Sequence, residues 1–166
     1  MINIDELAIM VNRKEEENLR FRTYLKGHAD DKELDKQFKE LHEKYFKIYN
    51  CKDCRNCCKK LNTSMTEEEL DIICNKLNLD KEELISKELD INTSGKYSFK
   101  CNRCKFLDDD NNCLAENCLP ESCMDYPYTN KSERLFSLYG IIGNASICPV
   151  VYEILEELKK IYNFKR

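Results

Sequence analysis

Apolar side chains recur at helical spacing through the first fifty residues of the chain. Residues 4–25 are heavily charged but carry an intermittent apolar stripe, which predicts a helix that ends near Gly27. A second stripe in residues 30–50 repeats every three or four positions, which predicts an amphipathic helix that runs up to Cys51. The side chains expected on its inward face are Leu34, Phe38, Leu41, Tyr45 and Ile48. Residues 1–50 are therefore predicted to be N-terminal helices.

Helix-start signals predict three more helices further along the chain. Thr66 and Glu69 stand in the register of a capping box and precede a short amphipathic segment. Asp80 repeats that signal before a second short helix, and Pro149 suits the first turn of a C-terminal helix. The residues expected to face inward on the C-terminal helix are Val151, Ile154, Leu155, Leu158 and Ile161.

The segment between these helices has a different character. Residues 91–130 show almost no helical periodicity and few apolar side chains, so we expect loops and short strands there. The predicted fold is mainly α, with short helices around an irregular, cysteine-rich metal-binding centre and at most small β elements. The length predicts one domain over residues 1–166, divided into N-terminal helices (1–50), a cysteine cluster region (51–149) and a C-terminal helix (150–166).

Charge and hydropathy narrow the classes of partner. The net charge of −4 gives no general attraction to nucleic acid, so we expect no nucleic-acid binding. No apolar run approaches the ~18 residues of a membrane span, and the N-terminus lacks the apolar core of a secretory signal. We therefore expect a cytoplasmic protein that binds metal ions and does not enter a membrane. A protein partner is compatible with the sequence but is not identified by it.

The chain has 11 cysteines, which in a reducing compartment indicate metal or redox chemistry rather than a disulfide framework. The stretch CKDCRNCC carries the spacing C-x2-C-x2-C-C, and a three-fold C-x2 register is typical of iron–sulfur ligands. Zinc sites more often combine two separate C-x2-C knuckles, and Cys101 with Cys104 supplies a second one. A 4Fe–4S cluster and zinc are both compatible with this pattern.

The remaining cysteines divide by their surroundings. Cys74 lies on the apolar face of a predicted helix, so we assign it to core packing. Cys101 and Cys118 fit a ligand or a bystander equally well. Adjacent Cys57 and Cys58 start from neighbouring α-carbons and are expected to point apart, so one of them should serve a second site. Each site would then need ligands from the later cysteines, between positions 101 and 148.

Four segments in order, CKDCRNCC, CKFLDDDNNC, PESCMDYP and the CP at 148, resemble the CxxCxxCC family of zinc- or iron-chelating domains, the YkgJ-type cysteine cluster proteins. The resemblance covers roughly residues 51–149. It implies the metal-ligand set Cys51, Cys54, Cys57, Cys58, Cys104, Cys113, Cys123 and Cys148, with Phe106, Leu107, Pro120 and Pro127 as framework. The chain departs from the family pattern at Lys105, Leu114, Ala115 and Leu119, and Cys101 and Cys118 are additions.

The same family includes, more distantly, the cysteine region of a flagellin lysine N-methylase. Methylation is not transferred to this chain, because it has neither a G-x-G nucleotide loop nor a C-x3-C-x2-C arrangement. The expected function is a metal-binding protein that holds zinc or an iron–sulfur cluster, in a redox role or as an accessory to a modification enzyme. The alternatives are a thiol-based redox or group-transfer enzyme and a zinc-folded interaction module. Catalytic residues are not predicted.

Positive charges surround the first cysteine run. Lys52, Arg55, Lys59 and Lys60 all lie within it or directly after it. Four thiolates around one zinc ion carry a net charge of about −2, and a four-thiolate cluster with a 2+ inorganic core carries the same. We favour charge compensation as the role of these cations over a docking patch for an electron-transfer partner.

Overall fold

Helices make up most of the regular structure of the chain, which a computed structural model describes for residues 2–165. The prediction of a mainly α protein with small β elements is confirmed. The helices are α1 (Ile4–Asn12), α2 (Glu15–His28), α3 (Asp31–Phe46), α4 (Cys51–Cys54), α5 (Asn56–Lys60), α6 (Glu67–Leu77), α7 (Lys81–Glu88), α8 (Glu121–Asp125), α9 (Arg134–Asn144) and α10 (Pro149–Ile161). The strands are β1 (Ser64–Met65), β2 (Leu89–Ile91) and β3 (Tyr97–Phe99), and a 3₁₀ turn covers Glu116–Cys118.

The chain divides into two compact units. Met1–Cys54 and Pro127–Arg166 together form the first, which we call the helical unit, and Arg55–Tyr126 forms the second, the cysteine-rich unit. The predicted cysteine cluster region therefore contributes residues to both units. The prediction of one domain over residues 1–166 stays a prediction. Within residues 2–165, no helix has both the length and the apolar character that crossing a bilayer would require.

The helical unit is built around contacts of α10 and α9 with α3. Amphipathic helices bury one stripe each, and the large side chains that are fully buried here come from several helices. They are Leu7, Phe21, Leu25, Leu34, Phe38, Leu138, Ile154 and Leu158. Apolar burial on this scale is a large stabilising contribution to the unit.

The prediction of one continuous helix at the N-terminus is wrong. It is two helices, because the first ends at Asn12 and the second begins at Glu15. The second, α2, ends at His28, next to the predicted end at Gly27. The helix stops there because Asp30 is the N-cap of α3. The Asp30 carboxylate accepts hydrogen bonds from the backbone amides of Lys32 and Glu33.

Two residues predicted to face inward are exposed instead. Ile48 is 52% exposed because α3 ends at Phe46, so the register of its apolar stripe does not extend that far. Ile161 is 45% exposed and is the last residue of α10. The other residues predicted for these two faces are buried, and Pro149 begins α10 as predicted.

The cysteine-rich unit contains a small antiparallel sheet in the order β1-β3-β2. Gly95 has a φ of 77° in the turn between β2 and β3, a conformation that glycine adopts without strain. The predicted capping box of Thr66 and Glu69 at the start of α6 is confirmed. The buried core of this unit comprises Met65, Leu70, Ile73, Cys74, Leu89, Phe99, Cys104, Phe106, Leu107 and Ala115. As predicted, the part of this unit that follows β3 is mostly irregular.

Candidate metal centre

The eight cysteines predicted as ligands are divided between the two units. Three belong to the helical unit, and we call them the Cys148 group: Cys51, Cys54 and Cys148. The other five belong to the cysteine-rich unit and are Cys57, Cys58, Cys104, Cys113 and Cys123. No disulfide joins any of the 11 cysteines, all of which lie within residues 2–165.

Short backbone turns bring cysteines of the cysteine-rich unit together. The amide of Cys104 donates to the carbonyl of Cys58 at 2.9 Å, which ties the segment after β3 to helix α5. An isolated bridge between Leu107 and Cys113 closes the loop that follows Cys104. We call Cys58, Cys104, Cys113 and Cys123 the thiol cluster.

The sulfurs of the thiol cluster interact electrostatically. Burial, reinforced by the charges of Cys58 and Cys123, raises the pKa of Cys104 to about 11. Burial likewise raises the pKa of Cys113 and of Cys123, and the charge of Cys58 again contributes. Cys58 therefore lies within electrostatic reach of the other three sulfurs. Their surroundings oppose the accumulation of negative charge unless a cation is supplied.

Hydrogen-bond donors nevertheless point at these sulfurs. The backbone amide of Phe106 donates to Cys104, and that of Ala115 donates to Cys113. The Thr63 hydroxyl oxygen lies 3.7 Å from the sulfur of Cys123. A donor directed at sulfur favours the thiolate over the thiol, so each of these contacts opposes the rise in pKa that burial causes. Donors of this kind regularly surround the ligands of metal sites.

Cys58 differs from the rest of the thiol cluster because its pKa is lowered, to about 6. The main cause is a hydrogen bond from Cys57, and the positive charges of Arg55 and Lys59 add to it. The sulfurs of Cys57 and Cys58 are 4.0 Å apart, so the expectation that these adjacent side chains point apart is not met. Two thiolates bound at about 2.3 Å to one tetrahedral zinc are separated by about 3.8 Å, which is close to this distance.

The Cys148 group combines burial with amide donors in the same way. Burial raises the pKa of Cys148 to about 12, and the charges of Cys51 and Cys54 raise it further, while the amides of Val150 and Val151 donate to its sulfur. Those amides belong to the first turn of α10, where backbone donors have no partner within the helix. Cys51 and Cys54 are three residues apart on α4 and so share a face.

The donor set fits a thiolate metal centre in its chemistry, although the sulfurs are not yet at coordination distance. In the part of the chain that the structure describes, no three Cys, His, Asp or Glu side chains converge to hold an ion. The side chains of the thiol cluster would therefore have to rotate inward on binding. Soft thiolates select zinc or iron–sulfur clusters, and the directed donors and nearby cations offset the negative charge that thiolates bring.

The remaining cysteines and both histidines make other contacts. Cys74 is 4% exposed within the apolar core of its unit, as predicted. The thiol of Cys101 donates a hydrogen bond to the carbonyl of Arg103. Cys118 is partly buried and packs against the apolar core that contains Cys74. Of the histidines, His28 stacks on Tyr24 and His42 is hydrogen-bonded to Thr129.

Sequence reasoning missed the groups that surround the sulfurs. Thr63 belongs to no motif, and only the fold brings its hydroxyl to a cysteine 60 positions later. The amide donors of Phe106 and Ala115 could have been predicted from spacing, because each is two residues after the cysteine to which it donates. A short Cys-x-apolar turn can therefore be searched for when a cysteine is assigned to a metal site.

Comparison of the chain with protein-family models, with curated proteins and with solved structures finds no match. The resemblance to the CxxCxxCC family therefore remains an expectation from the quoted segments. Function has to be inferred from the geometry and chemistry of the cysteines themselves.

Proposed function

We propose that this chain is a metal-binding protein whose clustered cysteines hold zinc or an iron–sulfur cluster. The observation that carries the proposal is the thiol cluster, in which partly or fully buried sulfurs share one electrostatic environment and receive backbone and hydroxyl donors. Neutral thiols gain little from such donors. Thiolates gain much more, and a metal ion is what makes several adjacent thiolates stable in a buried place.

Seven of the eight proposed ligands fall into the two sets already described. The thiol cluster would supply four thiolates, and the Cys148 group would supply three to a second site. The eighth, Cys57, has its sulfur 4.0 Å from that of Cys58 and is proposed as a further ligand beside it. Bound zinc would mainly stabilise the fold, whereas a 4Fe–4S cluster would also allow electron transfer. A cytoplasmic location, which we propose with this function, would keep the cysteines reduced and able to bind.

A thiol-based redox enzyme is the second candidate, and the surroundings of Cys58 favour it. Its pKa of about 6 makes it a thiolate at neutral pH, and Cys57 lies beside it, where a resolving thiol would be needed. The two functions differ in what they require of the distant cysteines. Metal binding needs Cys104 and Cys123, whereas thiol chemistry at the adjacent pair does not.

Metal analysis of the protein purified without oxygen tests the proposal directly. We expect stoichiometric zinc or iron, and in the iron case a broad absorption band near ~400 nm that dithionite bleaches. Cys104→Ser and Cys123→Ser should each lose the metal of the thiol cluster, while Cys74→Ala, which alters a buried core cysteine, should retain it. Metal-free protein that is folded, with all 11 thiols titratable, would contradict metal binding and favour the thiol enzyme.

A further inference from the structure

Helix α8 carries Cys123 and is held against an earlier part of the cysteine-rich unit. It runs from Glu121 to Asp125, and an isolated helix of five residues is not stable in water. Its position must therefore be set by contacts with its surroundings. The contacts come from residues 63–69, which comprise the end of a loop, strand β1 and the first turn of α6.

Glu69 uses its two carboxylate oxygens for two different elements. Oε2 accepts the backbone amide of Thr66 at 2.7 Å, which is one of the two bonds of the capping box at the start of α6. Oε1 accepts the backbone amide of Glu121, the first residue of α8, at 2.8 Å. The capping box does not require this second bond. It ties the start of α8 to the start of α6, across 52 positions of sequence.

The next two residues of α8 contact β1 and the residue before it. The Ser122 hydroxyl donates to the carbonyl of Ser64 at 2.6 Å, and the sulfur of Cys123 lies 3.7 Å from the hydroxyl oxygen of Thr63. Because β1 pairs with β3 in the sheet, it offers α8 a fixed support. We call the following three contacts the α8 clamp: Glu69–Glu121, Ser64–Ser122 and Thr63–Cys123.

We propose that the α8 clamp positions Cys123 for metal binding, with Glu69 and Ser122 as the positioning residues that hold the backbone of α8. The inference rests on the proposed function, because it concerns how one of the same ligands is placed. Cys104 is tied to Cys58 by a backbone hydrogen bond, whereas Cys123 lies near the far end of an irregular segment. A ligand that is held in place before binding loses less conformational freedom when the metal arrives, so the clamp strengthens metal binding.

Four full-length variants separate the clamp from the cap of α6. Glu69→Ala removes both bonds of the carboxylate, Ser122→Ala removes only the hydroxyl that reaches β1, and Ser122→Thr keeps a hydroxyl there. Thr66→Ala is the matched control. It removes the hydroxyl that accepts the amide of Glu69 at 3.2 Å, which is the other bond of the capping box, and leaves the bond to Glu121 in place.

The measurement is the rate at which iodoacetamide alkylates each cysteine of the zinc-loaded protein under reducing conditions, read by mass spectrometry. A metal-bound thiolate is protected, so all four cysteines of the thiol cluster should react slowly in the wild type. Glu69→Ala and Ser122→Ala should each raise the alkylation rate of Cys123 about tenfold or more, the usual effect of losing a group that supports a metal ligand. The other three cysteines of the cluster should change less.

The remaining variants show whether the effect belongs to the clamp. Ser122→Thr and Thr66→Ala should both match the wild type, the first because the hydroxyl is retained and the second because only the helix cap is weakened. A role confined to stability would not distinguish Cys123 from the other cysteines of the cluster. If Glu69→Ala fails to fold, Ser122→Ala still decides the question.

Three results would overturn the inference about the clamp alone. The first is unchanged alkylation of Cys123 in both alanine variants. The second is an equal rise at all four cysteines, which would indicate a general loss of structure. The third is an equal rise in Thr66→Ala, which would restrict Glu69 to its role in the helix cap. A wild-type protein that binds neither zinc nor iron would instead overturn the proposed function, and the role of the clamp in metal binding with it.

Discussion

The helical unit and the cysteine-rich unit differ in the length of their helices and strands, and therefore in what can stabilise them. The first contains α2, α3 and α10, which are 14, 16 and 13 residues long, and buries large apolar side chains between them. The longest helix of the second, α6, has 11 residues, and its strands have two or three. Long amphipathic helices supply their own core, whereas a unit of short elements depends more on cross-links.

The difference is greatest after β3. Residues 100–126 contain one 3₁₀ turn and one short helix, so ordering this segment loses much chain entropy with little regular hydrogen bonding in return. Cys104, Cys113 and Cys123 all lie within it. A metal that joined these cysteines to Cys58 would close the segment onto α5, which explains why its conformation need not depend on apolar burial alone.

Removal of the proposed metal is expected to give the largest effect, and this effect should differ between the two units. Strong chelation under reducing conditions should raise amide hydrogen exchange in residues 100–126 by at least about a hundredfold, because the cross-links that restrict the segment are lost. Exchange in α2 and α3, which carry no proposed ligand, should change little. Hydrogen exchange with mass spectrometry, read by segment, measures both.

Cys104→Ser provides a version of this test without a chelator. It should reproduce the loosening of the segment, while Cys101→Ser, which alters a cysteine outside the thiol cluster, serves as its matched control. Unaltered exchange in residues 100–126 after verified loss of metal would show that the cysteine-rich unit is held by its apolar core, and the contrast between the units would disappear.

Truncation of the core of the helical unit should give the opposite pattern. Phe38 on α3 is completely buried, so Phe38→Ala should lower the free energy of unfolding by about 3–5 kcal/mol. The metal bound by the thiol cluster should be unchanged per folded molecule, because no cysteine of that cluster belongs to the helical unit. Chemical denaturation with metal analysis of the folded fraction checks both. Tyr139→Ala, at a side chain that is 69% exposed, controls for loss of an aromatic ring.

The same contrast determines how much of the structure could be predicted from the sequence. Sequence signals predicted a helix start correctly where neighbouring residues determine it. Examples are the capping box of Thr66 and Glu69 and Pro149 at the start of α10. They failed where an apolar stripe continued past the end of its helix, as at Ile48. Helix α9 was not predicted at all, although it packs against α2 and α3.

The candidate site could likewise be predicted only in part. Spacing and resemblance named the cysteines, but they could not assign them to groups, because grouping depends on contacts between residues far apart in sequence. The contact of Thr63 with Cys123 is likewise a product of the fold. The sulfurs of Cys57 and Cys58 lie 4.0 Å apart, although neighbouring α-carbons led us to expect that they point apart.

Replacement of Cys74 should have a smaller effect and sharpen the division between structural and ligand cysteines. Cys74 is buried beside Ile73 on α6, and Cys74→Ala removes one sulfur from an apolar contact. We expect a loss of about 1 kcal/mol in the free energy of unfolding and no change in metal content. Denaturation and metal analysis of the same sample measure the two quantities. Loss of metal would place α6 among the ligand-bearing elements.

The smallest expected effect is a pH dependence confined to the helical unit. His42 on α3 is half-buried, its Nδ1 lies 2.8 Å from Oγ1 of the fully buried Thr129, and its ring lies against Phe46. Burial lowers the pKa of His42 below its ordinary value of 6.5, and the charge of Glu43 opposes this only in part. The folded state therefore prefers the neutral ring, so its contribution to stability is present above pH ~6.5 and is lost as the pH falls through the lowered pKa.

His42→Asn removes the titrating group while leaving an amide that can bond to Thr129. Relative to this variant, wild-type protein freed of metal under reducing conditions should lose a few tenths of a kcal/mol of stability between about pH 7 and about pH 5, a small value because solvent screens a half-exposed group. Urea denaturation at each pH gives the difference, and titration of the cysteines cancels because both proteins carry all 11. His28→Asn controls for loss of a histidine. The opposite result would be a wild-type protein that gains stability relative to the variant on acidification. It would show that the folded state favours the protonated His42, and that negative charge rather than apolar burial dominates its surroundings.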